Sequence, residues 1–237
     1  MLDLKKNYPD SFSLLEAESV NLNCDEDFNC IGFLNRALKR DEFSNNACRP
    51  SSENIINNLP TLLGTQELEI KGNNRYLGHY PRMYRYYLSR IGQTIQIRVP
   101  VFIKNPKNDE VQNYEKKLEA ASETWNRQTA SIASPLYDLK FKFEVTTNKS
   151  EASGKIRLTA QGSHGPYDTV HSLKWGKDIL AHEFGHFLGL DDEYKNDLFN
   201  PSTDTCSFLS IMCNSEDGSV LPRHLYMILR RPFCVSR

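Results

Sequence analysis

The sequence has almost no net charge: 29 Lys and Arg are matched by 30 Asp and Glu, a formal charge of −1. No overall field therefore draws the chain to nucleic acid or to an anionic membrane, and both partners are excluded as expectations. It also lacks the uninterrupted run of about 18 apolar residues that a spanning helix needs. The longest apolar stretch, near Ile95 to Ile103, contains Arg98 and Pro100. Paired CxxC spacings are missing as well, which argues against a zinc site built from cysteine. There is no internal repeat and no low-complexity block. What remains is a 237-residue chain with 39% hydrophobic, 25% charged and 11% aromatic residues. That composition is ordinary for a globular fold, and the length allows one large domain or a catalytic domain with an added segment.

The six cysteines, at 24, 30, 48, 206, 213 and 234, form an N-terminal and a C-terminal trio. Their even number and clustering predict at least one disulfide and a secreted or exported protein. No signal peptide is visible in this chain, because Asp3, Asp10, Glu16 and Glu18 break any secretory apolar segment in the first 25 residues. Nothing in the sequence speaks to an oligomeric state.

Residues 1–90 are polar and read as short elements only, such as a helix from Ile31 to Arg40. Tyr76, Tyr80, Tyr84, Tyr86 and Tyr87, interleaved with arginines, resemble a stacking surface for single-stranded nucleic acid. Without a basic field the better expectation is a packed amphipathic connector. From Thr94 the apolar period becomes two, with Ile95, Ile97, Val99, Val101 and Ile103 on one face of a strand. Pro100 is expected where no ladder donor is needed. Asn108 or Asp109 is the expected cap of a helix with Val111, Tyr114, Leu118, Ala121 and Trp125 at spacings of three and four. Two further strands follow, one through Leu139, Phe141, Phe143 and Val145, the other through Ile156, Leu158 and Ala160. A helix is expected over about Trp175 to Leu188, ended by Gly189, and another over Pro222 to Arg231.

The chemistry concentrates in HEFGHFLGLDDEY, residues 182–194. Two histidines four apart leave the same helix face one turn apart, so His182 and His186 can grip one metal ion. Glu183, beside that face, can take a proton from a water acidified by zinc, and the same ion can polarise a carbonyl. Gly189 allows a sharp turn out of the helix, so that an acid further on can return as third ligand. Asp192 is the expected one, with Asp191 and Glu193 as alternatives. The three acids form no calcium-loop motif.

With that spacing the sequence resembles the metzincin metallopeptidases, whose pattern is HExxHxxGxxH followed by a Met-turn. Asp192 stands where their third histidine stands, as in the snapalysin variant, and Ser210-Ile211-Met212 supplies the methionine. The resemblance implies an α+β fold with a twisted, mostly parallel sheet, two long helices above the cleft, and a small irregular lower subdomain ending in a helix. It covers about residues 91–237, leaving 1–90 as a prosegment or an accessory region. It further implies one catalytic Zn2+ on His182, His186 and Asp192, Glu183 as general base, and Gly189 and Met212 as supports. Protein or peptide substrates are the implied partners. In several family members a tyrosine lies two residues after the methionine; here that position is Asn214. Tyr194 can offer a phenol to the developing oxyanion or pack within its loop. His164 and His171 fall in the stretch that borders the substrate cleft in the family, and otherwise read as exposed loop or edge residues. The activity implied is zinc-dependent endopeptidase. The alternatives are a zinc-containing binding or toxin-like module, or a zymogen held latent by its N-terminal region.

Overall fold

A computed structural model describes residues 50–74, 82–130, 137–160, 169–190, 192 and 209–234. The expected helix at Ile31–Arg40, together with His164, Asp191, Glu193, Tyr194 and four of the six cysteines, lies outside the described residues. The elements run α1 (Ser52–Leu63), β1 (Leu68–Asn74), β2 (Arg82–Ile91), β3 (Thr94–Ile103), α2 (Asn108–Thr129), β4 (Asp138–Val145), β5 (Gly154–Thr159), β6 (Val170–Ser172), α3 (Lys177–Phe187), α4 (Pro222–Leu229) and α5 (Arg231–Cys234).

The fold is α+β, built on a sheet of six strands. Its centre is β3, whose Ile95, Ile97, Val99, Val101 and Ile103 are all buried, as the period-two pattern requires. Each such side chain contributes about 1.5–3 kcal/mol of apolar burial. One edge of β3 pairs in parallel with β4 from Thr94 to Val101. The other edge pairs antiparallel with β2 up to Arg98 and then in parallel with β5 from Val101. Pro100 occupies the gap between those two partners, where a missing N–H costs nothing, while its carbonyl accepts from Ser153 N–H at 2.6 Å.

The sheet is mixed: three of its five strand pairings are parallel, and the two at the β1–β2 side are antiparallel. β1 and β2 are antiparallel to their neighbours, because β2 and β3 are joined by the tight turn Gly92-Gln93, with Gly92 at φ +63°. A connection that short cannot join parallel strands. The tyrosine-rich stretch, from Arg82 onwards, is therefore a strand and not an amphipathic connector. Tyr86 and Leu88 are fully buried, and the Tyr86 hydroxyl donates to the Ile228 carbonyl at 2.6 Å. Strands N-terminal to residue 91 thus belong to the same sheet as β3.

The 22-residue helix α2 lies over this sheet, with Tyr114, Leu118, Ala121 and Trp125 buried at the predicted spacing. Its cap is Lys107 without a side-chain hydrogen bond, so neither Asn108 nor Asp109 caps it. Asp109 and Glu110 instead place negative charge in the first turn, which favours the helix dipole. Trp125 packs on Phe141 and Phe143 of β4, ring centroids 4.8 and 6.2 Å away, and its indole N–H donates to the Ala181 carbonyl of α3. That contact ties the long helix to the helix bearing the histidines. The final helical region breaks after Leu229 into α4 and the short α5. Ala160 is exposed beyond the end of β5. Among the described residues no helix is long and apolar enough to cross a membrane.

Candidate metal centre

The helix α3 carries His182, Glu183 and His186. It is buried nearly all round by Leu180, Ala181, Phe184, Gly185 and Phe187, which identifies it as a central helix. It ends in a Schellman arrangement. Leu190 N–H donates to the Gly185 carbonyl at 3.0 Å, and Gly189 N–H donates to the His186 carbonyl at 2.9 Å. Gly189 takes φ +79°, a conformation in which a side chain is strained. The reversal returns the chain over the helix face, and the Leu190 carbonyl accepts from His186 Nδ1–H at 2.9 Å.

His182 is oriented from a different direction. Its Nδ1–H donates to the carbonyl of Ile211 at 2.8 Å, in a turn whose Ser210 carbonyl accepts from the N–H groups of Cys213 and Asn214. With both Nδ1 atoms donating to carbonyls, both Nε2 atoms face inward. They meet one oxygen: Asp192 Oδ1 lies 3.3 Å from His182 Nε2 and 3.2 Å from His186 Nε2. All three residues are buried, and their ligand atoms lie within 4.8 Å of one another. Tetrahedral zinc with bonds of about 2.0–2.1 Å places its ligand atoms roughly 3.3 Å apart, so this donor set fits such an ion. Burial works against a proton on His182, but the hydrogen bond and charge of Asp192 outweigh it and hold the imidazole above its ordinary value.

Glu183 is half-buried on the same helix. Its charge, added to burial, holds the phenol of Tyr114 well above the usual tyrosine range. Tyr114 shares a 2.5 Å hydrogen bond with Nδ1 of His171. His171 is fully buried on β6, against Trp175 and Phe184, and is not an exposed edge residue as expected.

Met212 is fully buried beneath the cluster. A Cβ on Gly185 would come within 2.5 Å of its Sδ, so the absent side chain at Gly185 makes room for the methionine. The turn is secured by groups the sequence did not announce. Ser210 Oγ accepts from Met212 N–H at 3.2 Å and lies 3.3 Å from His224 Nε2. His224 Nδ1 accepts from Leu221 N–H at 3.0 Å, so the ring is the neutral tautomer with its proton on Nε2. Burial, joined by the charges of Arg223 and His182, depresses its pKa well below the ordinary value. Asn214, where some metzincins carry tyrosine, has its Oδ1 accepting from Glu216 and Asp217 N–H and so builds the following loop. Arg231 is the other unannounced residue, its guanidinium donating to the carbonyls of Leu188 and Gly189. The glycines at 185 and 189 were the only hint, each marking a close approach by a residue distant in sequence. Cys213 and Cys234 are both disulfide-bonded.

Set against protein-family models, curated proteins and solved structures, the chain matches none.

Proposed function

We propose that the chain is a zinc-dependent endopeptidase of metzincin type, with His182, His186 and Asp192 as zinc ligands and Glu183 as general base. The convergence of two imidazole Nε2 atoms on Asp192 Oδ1, at 3.3 and 3.2 Å, carries this reading. The group holds three ligands among the described residues. Closed structural zinc sites have four, and three with a neighbouring acid suit a catalytic site.

Zinc bound there supplies Lewis acidity, which lowers the pKa of water towards about 7 and polarises a substrate carbonyl. The protein's own groups do the rest. Glu183, half-buried beside the histidines, takes the proton from the attacking water and returns it to the departing amine. The Ile211 and Leu190 carbonyls keep His182 and His186 in the tautomer that presents Nε2. Gly189 turns the chain so that Asp192 reaches the histidines, and Met212 packs under Gly185 as a support. Substrates are proteins or peptides bound in extended form. The disulfides at Cys213 and Cys234 support a secreted or exported enzyme.

The test is digestion of a diverse peptide mixture, read by mass spectrometry, with the zinc-loaded chain and with Glu183→Ala loaded equally. Cuts made by the first and missing from the second are the expected result. Zinc in both with no cuts by either would overturn the reading of this chain as an active peptidase and leave a latent zymogen or a metal-bearing binding module.

A further inference from the structure

We infer that Arg231, stacked on Tyr84, is a positioning residue for the third metal ligand, coupling the β1–β2 hairpin to the turn that delivers Asp192. The inference rests on the metal-site reading above and adds a control on that site from a part of the chain far from it in sequence.

The last carbonyls of any helix lack intrahelical partners, and a buried helix end must find them elsewhere. At the end of α3 the Leu188 and Gly189 carbonyls both accept from the guanidinium of Arg231, the Gly189 contact at 2.7 Å. Arg231 is buried, and its guanidinium carbon lies 4.2 Å from the centre of the Tyr84 ring. A planar fork with several fixed donors and a stacking face suits this place, and a lysine ammonium has neither.

Glycines stand at both ends of the stack. At Gly189 a Cβ would lie 2.6 Å from the guanidinium nitrogens of Arg231. At Gly72, the cross-strand partner of Tyr84, a Cβ would collide with the Tyr84 hydroxyl. The order Gly72, Tyr84, Arg231, Gly189 therefore forms a close-packed column from β1 to the metal turn. Asp192 follows Gly189 by three residues. Holding the two carbonyls fixes where the chain leaves the helix, and so where Asp192 Oδ1 meets the histidines. Groups that hydrogen-bond metal ligands directly change metal affinity by about 10–100-fold when replaced; Arg231 acts one step further out, through the Leu188 and Gly189 carbonyls, so the lower end of that range is expected.

A merely structural Arg231 would lower the stability of the fold and leave the metal affinity of folded molecules alone, so affinity is the quantity to measure. Cobalt(II) and zinc(II) dissociation constants are taken by chelator competition on the full chain, at a temperature where circular dichroism is native. Five proteins are compared: the unmodified chain, Arg231→Lys, Asp192→Ala, the double variant of these two, and His186→Ala. Arg231→Lys is expected to bind about 10-fold more weakly, and the double variant no more weakly than Asp192→Ala alone. Unchanged affinity in Arg231→Lys, or losses that multiply in the double variant, would overturn the inference. Should Arg231→Lys fail to reach the native spectrum, Tyr84→Leu enters the same cycle, with a smaller loss and the same non-additivity expected. Full affinity in that variant would count against the column. Binding by the unmodified chain that ignores both Asp192→Ala and His186→Ala would instead strike down the metal-site reading itself.

Discussion

The helix α3 brings His182, Glu183 and His186 together within a single turn, whereas the groups that aim those side chains come from places scattered along the chain. Ile211 orients one imidazole, Leu190 the other, and Arg231 holds the turn from the C-terminal end against Tyr84 of an N-terminal strand. The first set is chemistry that a helix face supplies by periodicity alone. The second is orientation, which exists only once distant segments have packed. A motif of the first kind states which atoms are available; only the second kind makes them converge. The contrast predicts that changes in the two regions should fail differently, one in turnover alone and the other in metal affinity and stability.

The largest expected effect is on the chemistry side. Glu183→Gln keeps the shape and removes the proposed base, and turnover should fall by about 10²–10⁴-fold. Zinc content and thermal midpoint should stay close to those of the unmodified chain, since Glu183 is half-buried and outside the ligand set. Metal analysis and a melting curve beside the peptide assay check this. A loss of zinc would put Glu183 among the groups that hold the metal and erase the distinction drawn here.

Next in size is a change in the frame. Trp125 is fully buried between β4 and α3, and Trp125→Ala removes its packing together with the hydrogen bond to Ala181. A loss of about 3–5 kcal/mol is expected from a truncation of this type. Urea unfolding measures it. A loss below about 1 kcal/mol would show that α3 does not depend on α2 for its place.

The frame was partly legible before the fold was known. The alternation in β3 and β4 and the three-and-four spacing in α2 work as signals because each apolar residue faces the same core. The residues that could hold a metal ion were legible for the same reason, two of them sharing one helix face and the third following a glycine. The β1–β2 hairpin was not, because Ile70 and Leu88 are isolated aliphatics and its other buried side chains, Tyr86 and Tyr87, follow an arginine and read equally as surface or core. His171 was misread because a lone histidine shows no period, while its burial depends on Tyr114 some 57 positions away. Arg231 looked like an ordinary basic residue at a helix end. Its role depends on glycines at 72 and 189 that only the folded chain brings near it.

A smaller effect tests the turn below the histidines. At Gly218 a Cβ would run into the backbone oxygens of Ser210 and Asn214, neither of which can swing aside as a side chain would. Gly218→Ala should therefore cost about 1–3 kcal/mol by overpacking. The Ile211 carbonyl that orients His182 belongs to the same turn, so zinc affinity should fall along with stability. Calorimetry and chelator titration on the same variant check both. Reduced stability with unchanged affinity would separate the turn from the metal site.

The smallest effect is a pH dependence located in His224. Its Nδ1 must stay unprotonated to accept from Leu221 N–H, and burial, with Arg223 and His182 as the charged neighbours, depresses its pKa in the folded chain. In the unfolded chain the same imidazole titrates near 6.5. Below that pH the unfolded state binds a proton that the folded state refuses, so this group makes stability fall as the solution is acidified. The slope is at most about 1.4 kcal/mol per pH unit, and above about pH 7.5 the contribution is flat. His182 in the metal-free chain is shifted the other way and opposes this trend, so the effect is read as a difference between proteins. In His224→Gln the amide can accept from Leu221 and donate to Ser210 without titrating. Urea midpoints at pH 7.5, 6.5 and 5.5, taken with chelator present, should diverge between the two chains only on the acid side, with the unmodified chain losing more. Parallel curves would mean that His224 takes up its proton in the folded state, and that the turn beneath the histidines tolerates a charge which its hydrogen bonds argue against.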